Sequence, residues 1–272
     1  MPELAEVETV RNVLKSKILN KKINDVVVIY NKMLDCSEKD FKEALIGNEF
    51  IDIKRKGKWL IFELHDICLL SHLRMEGKYF IKNSNDEVVK HEHIIIRFND
   101  GTDLRYHDTR KFGVMKIVNK KDLDNTLEIK KQGIEPIDDS LTSNYLLEKF
   151  KDKKMPIKTA LLDQEIISGL GNIYADEVLF ASGIHPLRET KSITKEECEN
   201  IILSSKKILL HAIKEGGTTI KSYTSSLGVT GNYQNYLCVH KREGMNCKKC
   251  NTVIKRIKVG GRSTYYCENC QK

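Results

Sequence analysis

Four cysteines near the C-terminus constrain the fold more than any other part of the chain. Cys247 and Cys250 are two residues apart, Cys267 and Cys270 repeat that spacing, and sixteen residues separate the pairs. Two-residue spacing lets both thiolates of a knuckle reach one tetrahedral ion, and two knuckles complete a four-cysteine zinc site. Four protein ligands leave no open coordination position, so the ion is structural. A pair of disulfides would need an oxidising compartment. Between the knuckles, VIKRIKVGGRSTYYC has two strand-like runs around Gly260-Gly261. It reads as a β-hairpin with Arg262 just past its glycines. At that tip an arginine can reach a phosphate or simply be solvated. Cys36, Cys68, Cys198 and Cys238 are scattered and read as reduced thiols.

Upstream, the pattern divides in two. From Ile23 to about residue 119 the chain is a series of strand-like runs, with a hairpin signal at Asn99-Asp100-Gly101 and one short helix from Ser37 to Ile46 ended by Gly47. So many strands in series predict an antiparallel sandwich or flattened barrel. Beyond Gly133-Ile134-Glu135-Pro136 the periodicity is helical, and Thr194 with Glu197 forms a capping box for the longest helix. The expected class is α+β multidomain. An N-terminal helix and β-sandwich occupy 1–134, a helical domain 135–236 and the zinc module 237–272.

Charge narrows the partner. The net charge is +8, and from Glu215 onward seven Lys and three Arg face three Glu, so +7 of it lies in the last fifth of the chain. A basic region of this kind fits nucleic acid or another acidic partner. No stretch approaches the ~20 apolar residues of a membrane span. Acidic residues stand where a secretory leader would need its apolar core, so a cytoplasmic protein is expected. Nothing signals self-association, and a monomer is the default.

Several segments carry chemistry alongside a plainer reading. In MPELAEVETVR, Pro2 suits the first position of a helix, Glu3 and Glu6 suit its positive end, and Leu4, Val7, Val10, Leu14 and Ile18 make one apolar face. With Met1 removed, the same segment presents a secondary amine between two carboxylates. Asp108-Thr-Arg110-Lys-Phe112-Gly places two cations beside an aromatic, and core packing of Phe112 and a wedge between bases fit it equally well. Met75, in His72-Leu-Arg-Met-Glu-Gly, is a second wedge or core. Lys58 belongs to a basic turn that is solvated or anchors phosphate. Asn172, in Ser-Gly-Leu-Gly-Asn-Ile-Tyr174, can cap a helix, touch a phosphate, or both. Lys90-His91-Glu-His93 lacks a third metal ligand and reads as a strand-edge pair.

Taken in order, PEL-EVET, RKGKWL, SHLRMEG, HDTRKFG, GLGNIYADE and YYCENCQ make the chain resemble the formamidopyrimidine-DNA glycosylase family from Pro2 to Gln271. The resemblance implies a bifunctional glycosylase and abasic-site lyase that removes oxidised purines from damaged double-stranded DNA in the bacterial nucleoid. It implies a helix-two-turn-helix for the helical domain and one structural zinc on the four cysteines. By resemblance Pro2 is the nucleophile, Glu3 transfers protons, Glu6 supports the site, and Lys58 and Arg262 bind phosphate and assist β- and δ-elimination. Met75, Arg110 and Phe112 fill the gap left by an extruded nucleotide, and Asn172 grips the backbone. His72, His91, Lys153 and Tyr174 are further DNA contacts, and Lys221 to Gly231 is the loop that covers the lesion. Ala5 replaces a usual proline and Glu76 a usual small hydroxyl residue. Ala5 is the better helix former, while Glu76 puts a negative charge near DNA. Two alternatives remain: an oxidised-pyrimidine glycosylase on the same scaffold, and a damage-binding protein without catalysis.

Overall fold

The computed structural model describes residues 1–218 and 231–272. Two compact units emerge, one of 1–130 with 218–231, the other of 131–217 with 232–272. The expected lesion-covering loop falls almost wholly outside the described residues.

The first unit begins with α1 (Leu4–Ile18) and continues through β1 (Ile23–Val28), α2 (Glu38–Leu45), β2 (Asp52–Lys56), β3 (Trp59–Glu63), β4 (Ile67–His72), β5 (Lys78–Asn83), β6 (Glu92–Phe98), β7 (Thr102–His107), β8 (Val114–Asn119) and the single turn α3 (Leu127–Lys130). The strands make two four-stranded antiparallel sheets, in the orders β1-β6-β7-β5 and β2-β3-β4-β8. Phe62 of one sheet meets Tyr79 of the other with ring centroids 5.6 Å apart, in a core shared by both sheets, α1 and α2. The apolar face expected of the first helix is buried throughout: Val7, Val10, Leu14 and Ile18 join that core, and Leu4 is enclosed beside them. Each such side chain contributes about 1.5–3 kcal/mol relative to exposure, which offsets the cost of burying carboxylates at the helix start. The hairpin signal at Asn99-Asp100-Gly101 joins β6 to β7, with Gly101 at φ +80°. Ser37 caps α2 by accepting from the Asp40 N–H, and Gly47 follows at φ +85°.

The second unit contains α4 (Ser143–Phe150), α5 (Ile157–Leu162), α6 (Asn172–Ala181), α7 (Lys195–Lys214), β9 (Lys255–Val259) and β10 (Arg262–Tyr266). The capping box of Thr194 and Glu197 opens α7. Between α5 and α6 the chain turns around Gln164. Its amide donates to the Leu162 and Leu170 carbonyls and accepts from the Gly169 N–H, while Gly169 adopts φ +94°. Gly260 (φ +54°) and Gly261 (φ +77°) form the two-residue turn of the β9–β10 hairpin, as their position between two strand-like runs requires. No helix among the described residues is long and apolar enough to cross a membrane.

Candidate active site and nucleic-acid interface

The N-terminus corrects one expectation. Pro2 is not the first helical residue: α1 starts at Leu4, Glu3 is its N-cap with extended backbone (φ −100°, ψ −174°), and Pro2 precedes the cap. The cause is a capping box. Glu6 Oε2 accepts from the Glu3 N–H at 2.9 Å, and the Glu3 carboxylate reciprocates toward the Glu6 backbone. Glu6 Oε1 accepts from both the N–H (2.8 Å) and the hydroxyl (3.0 Å) of Thr218. Glu6 therefore ties the helix start to a residue 212 positions away, and Glu3 and Glu6 are 3% and 7% exposed. Burial pulls the Met1 amine below its ordinary pKa. Glu3 and Glu6 oppose that pull, Lys58 adds to it, and Glu76 opposes it. Amine, carboxylates and Lys58 thus share one electrostatic environment.

Lys58 is held in this place by its turn. Gly57 (φ +57°) and Lys58 are the two-residue loop between β2 and β3, since Lys56 pairs with Trp59. Arg55 donates to the Gly57 carbonyl (3.0 Å) and to Glu8 Oε2 (2.8 Å), and Glu8 also pairs with Arg11 on α1. One buried guanidinium therefore fixes the lysine turn to the helix that follows Pro2. Despite desolvation, Arg55 and Arg11 hold the Glu8 carboxyl below its usual range.

The wedge candidates stand on two loops. Met75 is 40% and Phe112 52% exposed, so neither is a core residue, and the Arg110 guanidinium carbon lies 4.7 Å from the Phe112 ring centre. The Asp108 carboxylate accepts from the backbone N–H groups of Arg110 (3.0 Å), Phe112 (2.9 Å) and Gly113 (2.8 Å), with Lys111 between them at φ +57°. Glu76, behind Met75, accepts a hydrogen bond from the Thr109 hydroxyl.

The histidines differ in kind. His72 is buried, its ring lies edge-on to Trp59 at 4.9 Å, and its Nδ1 accepts from the Arg74 N–H. Burial, helped by Arg74 and Lys58, lowers its pKa to about 3. His72 is therefore a neutral hydrogen-bond donor through Nε2 rather than a cation. His91 sits at φ +74° with its ring near those of His93 (6.2 Å) and His107 (5.7 Å). Three imidazoles meet here, yet among the described residues only the C-terminal cysteines bring their ligand atoms close enough for a metal.

In the second unit, Asn172 is the first residue of α6 and Gly171 its cap, so the capping role considered for Asn172 does not occur. Its amide instead donates to the Ser263 carbonyl at 2.8 Å. This joins α6 to β10 one residue from the exposed Arg262. Lys153 is half-buried in the loop before α5, and its carbonyl accepts from the Thr190 hydroxyl. The Tyr174 ring is wholly enclosed against Tyr233, so any phosphate contact at this residue comes from its backbone. Asp176 and Glu177, on the next turn, carry no expectation from sequence but do much of the bonding. Asp176 pairs with buried Lys158 and with His240 Nδ1 (2.6 Å), and Glu177 accepts from the N–H groups of Cys238, Val239 and His240. That clasp fixes the segment leading into the finger.

The finger's thiolates fit a zinc ion. All four sulfurs lie within 4.8 Å of one another, with Cys247 Sγ to Cys270 Sγ 3.9 Å and Cys250 Sγ to Cys267 Sγ 3.4 Å. A tetrahedron with Zn–S bonds of about 2.3 Å has edges of about 3.8 Å. Gln271 locks the second knuckle by accepting from the Cys267 N–H and donating to the Ile184 carbonyl.

Comparison with known proteins matches three stretches of the chain. Residues 1–115 match the formamidopyrimidine-DNA glycosylase N-terminal domain, 132–224 the H2TH domain of the same enzymes, and 246–272 the zinc finger found in FPG and IleRS. The formamidopyrimidine-DNA glycosylase of Listeria innocua is 43% identical over 273 residues, covering all of both chains. A complex of Lactococcus lactis Fpg with DNA containing an abasic site superposes with a TM-score of 0.94 at 39% identity, over 99% of each chain. MutM bound to DNA containing carbocyclic 8-oxo-G gives 0.94 at 38% identity, over 100% of each chain. The four-cysteine cluster is accordingly a zinc site, and the chain belongs to the formamidopyrimidine-DNA glycosylase family.

Proposed function

We propose that this chain is a bifunctional DNA glycosylase and abasic-site lyase of base excision repair, acting on oxidised purines in duplex DNA at the bacterial nucleoid. The observation that carries the reading is geometric: Pro2 stands directly before the Glu3–Glu6 capping box, whose two carboxylates are buried. The relatives' substrates support it, since one solved relative holds an abasic site and another an 8-oxo-G analogue. Three functional parts at 1–134, 135–236 and 237–272 divide the work.

Removal of Met1 makes Pro2 the terminal amine. In its neutral form its lone pair attacks the sugar C1′, the C1′–N bond to the base breaks, and the base leaves with the electron pair and takes up the proton that the Pro2 nitrogen sheds on bonding to C1′. Opening of the C1′–O4′ bond leaves a cationic iminium, with O4′ protonated from Glu3. The iminium is an electron sink: loss of a C2′ proton expels the 3′ phosphate, and a second elimination expels the 5′ phosphate. Lys58 and Arg262 hold the departing phosphates and Glu6 positions the helix start. A base must leave the stack before this chemistry can reach it, and Met75, Arg110 and Phe112 fill the gap. Asn172 and Lys153 hold the backbone, with His72 and His91 as neighbouring contacts. Zinc, held by Cys247, Cys250, Cys267 and Cys270, keeps the Arg262 hairpin folded.

The test compares 8-oxoguanine and thymine glycol duplexes, using the processed enzyme and its Pro2→Gly variant. Release of 8-oxoguanine with both phosphates eliminated is expected, and the variant should lose most of that activity. Preferred release of thymine glycol would establish the pyrimidine reading. Tight lesion binding without strand scission, indifferent to Pro2, would establish the non-catalytic one.

A further inference from the structure

Met75 and Phe112 reach solvent from different loops, and a two-part wedge works only if both parts arrive in register. Each loop is fixed internally, one by the Gly77 N–H on the Leu73 carbonyl (2.9 Å), the other by Asp108 on three backbone N–H groups. Both close against the same hydroxyl. A Cβ at Gly77 would lie 2.1 Å from Tyr106 Oη, and one at Gly113 would lie 1.9 Å from it. Nothing larger than glycine fits at either place without displacing buried Tyr106. What remains is the position of one loop tip relative to the other, and there Glu76 accepts from the Thr109 hydroxyl. Glu76 follows Met75 and Thr109 precedes Arg110, so the bond joins the immediate neighbours of the residues read as fillers.

We propose that Glu76 is a positioning residue whose bond to Thr109 joins the two loops into one wedge preformed before DNA arrives. The proposal rests on the reading of Met75, Arg110 and Phe112 as gap fillers. Ordering a loop residue costs conformational entropy, and a cost met during folding is not met again on binding. A carboxylate facing the phosphate backbone is otherwise unfavourable. Its acceptor role toward Thr109 is the compensating gain, and that role needs an oxygen rather than a charge.

Stopped-flow fluorescence of 2-aminopurine beside the lesion, in the full-length zinc-loaded enzyme, reads wedge insertion directly. Glu76→Ala and Thr109→Val should each slow insertion about fivefold, a factor set by the net worth of one hydrogen bond. The double variant should be no slower than either single one, because both remove the same bond. Glu76→Gln, which keeps an acceptor oxygen, should restore most of the rate. Unchanged insertion in Thr109→Val, additive effects in the double variant, or a rate for Glu76→Gln as slow as that for Glu76→Ala would each overturn the latch. Phe112→Ala and Met75→Ala serve as controls: they should abolish the signal, and full signal without them would overturn the wedge reading underneath.

Discussion

The N-terminal amine and the finger arginine are expected to serve one reaction, yet they are held by different physics. Pro2 precedes a helix whose apolar face belongs to a large core built from both sheets. Arg262 rides on a hairpin whose buried cluster is Phe180, Val239, Cys247, Ile254 and Cys267, two of them metal ligands. The first scaffold is stabilised by apolar burial, and polar groups only refine it. The second has too little apolar area to fold on that basis, so metal–thiolate bonds replace the core. The amine's position should therefore be indifferent to zinc, while the arginine's position depends on it.

Chelation is the most severe way to separate the two. A structural zinc contributes on the order of 10 kcal/mol to folding of such a module. Its removal, or Cys250→Ser, should unfold the finger and abolish strand scission. The urea midpoint of the N-terminal unit should stay unchanged, and tryptophan fluorescence from Trp59 on β3 reports it separately. A parallel loss of both would break the comparison.

A smaller effect is expected at Arg55, where the N-terminal scaffold is polar. Arg55→Ala leaves Glu8 half-paired and removes one donor from the Gly57 carbonyl, so stability should fall by about 3 kcal/mol. Elimination should slow on the order of tenfold as Lys58 loses its register. Arg55→Lys should not rescue the rate, because an ammonium cannot reach both acceptors in fork geometry. Equal rates in the lysine variant would show that the charge, not the fork, holds the turn.

The smallest effect comes from pH. His72 has a native pKa of about 3, below its ordinary 6.5, so an unfolded chain binds a proton that the native one refuses between those values. The group's contribution is complete above pH 6.5 and declines as pH falls, by about 2 kcal/mol at pH 5. Urea titrations at pH 7 and pH 5 should show this loss in the N-terminal unit, and His72→Asn should reduce it.

Legibility in the sequence followed the range of the interaction. The zinc ligands could be read because each knuckle's spacing is itself the geometry of binding. The face of α1, the Thr194 capping box and the two hairpin turns were readable for the same reason, as periodicity and cap chemistry act within a few residues. Pro2 was misplaced by two positions, since the sequence does not show that Glu3 rather than Met1 would cap the helix. Glu6 with Thr218, Asn172 with Ser263, and Glu177 with the 238–240 backbone all pair residues more than sixty positions apart. No local pattern announces such pairs. Glu76 was visible only as a charge in an unfavourable place. Its partner Thr109 became meaningful once β7 had brought the two loops together.

The central claim is that Pro2, once terminal, is the nucleophile. Borohydride trapping on abasic-site DNA, with intact-mass analysis of the same samples, tests it by comparing Met1-processed and Met1-retained protein. Trapping confined to the processed form, with the adduct mapped to Pro2, is the predicted result. Equal trapping of the Met1-retained protein, or an adduct on a lysine, would contradict it.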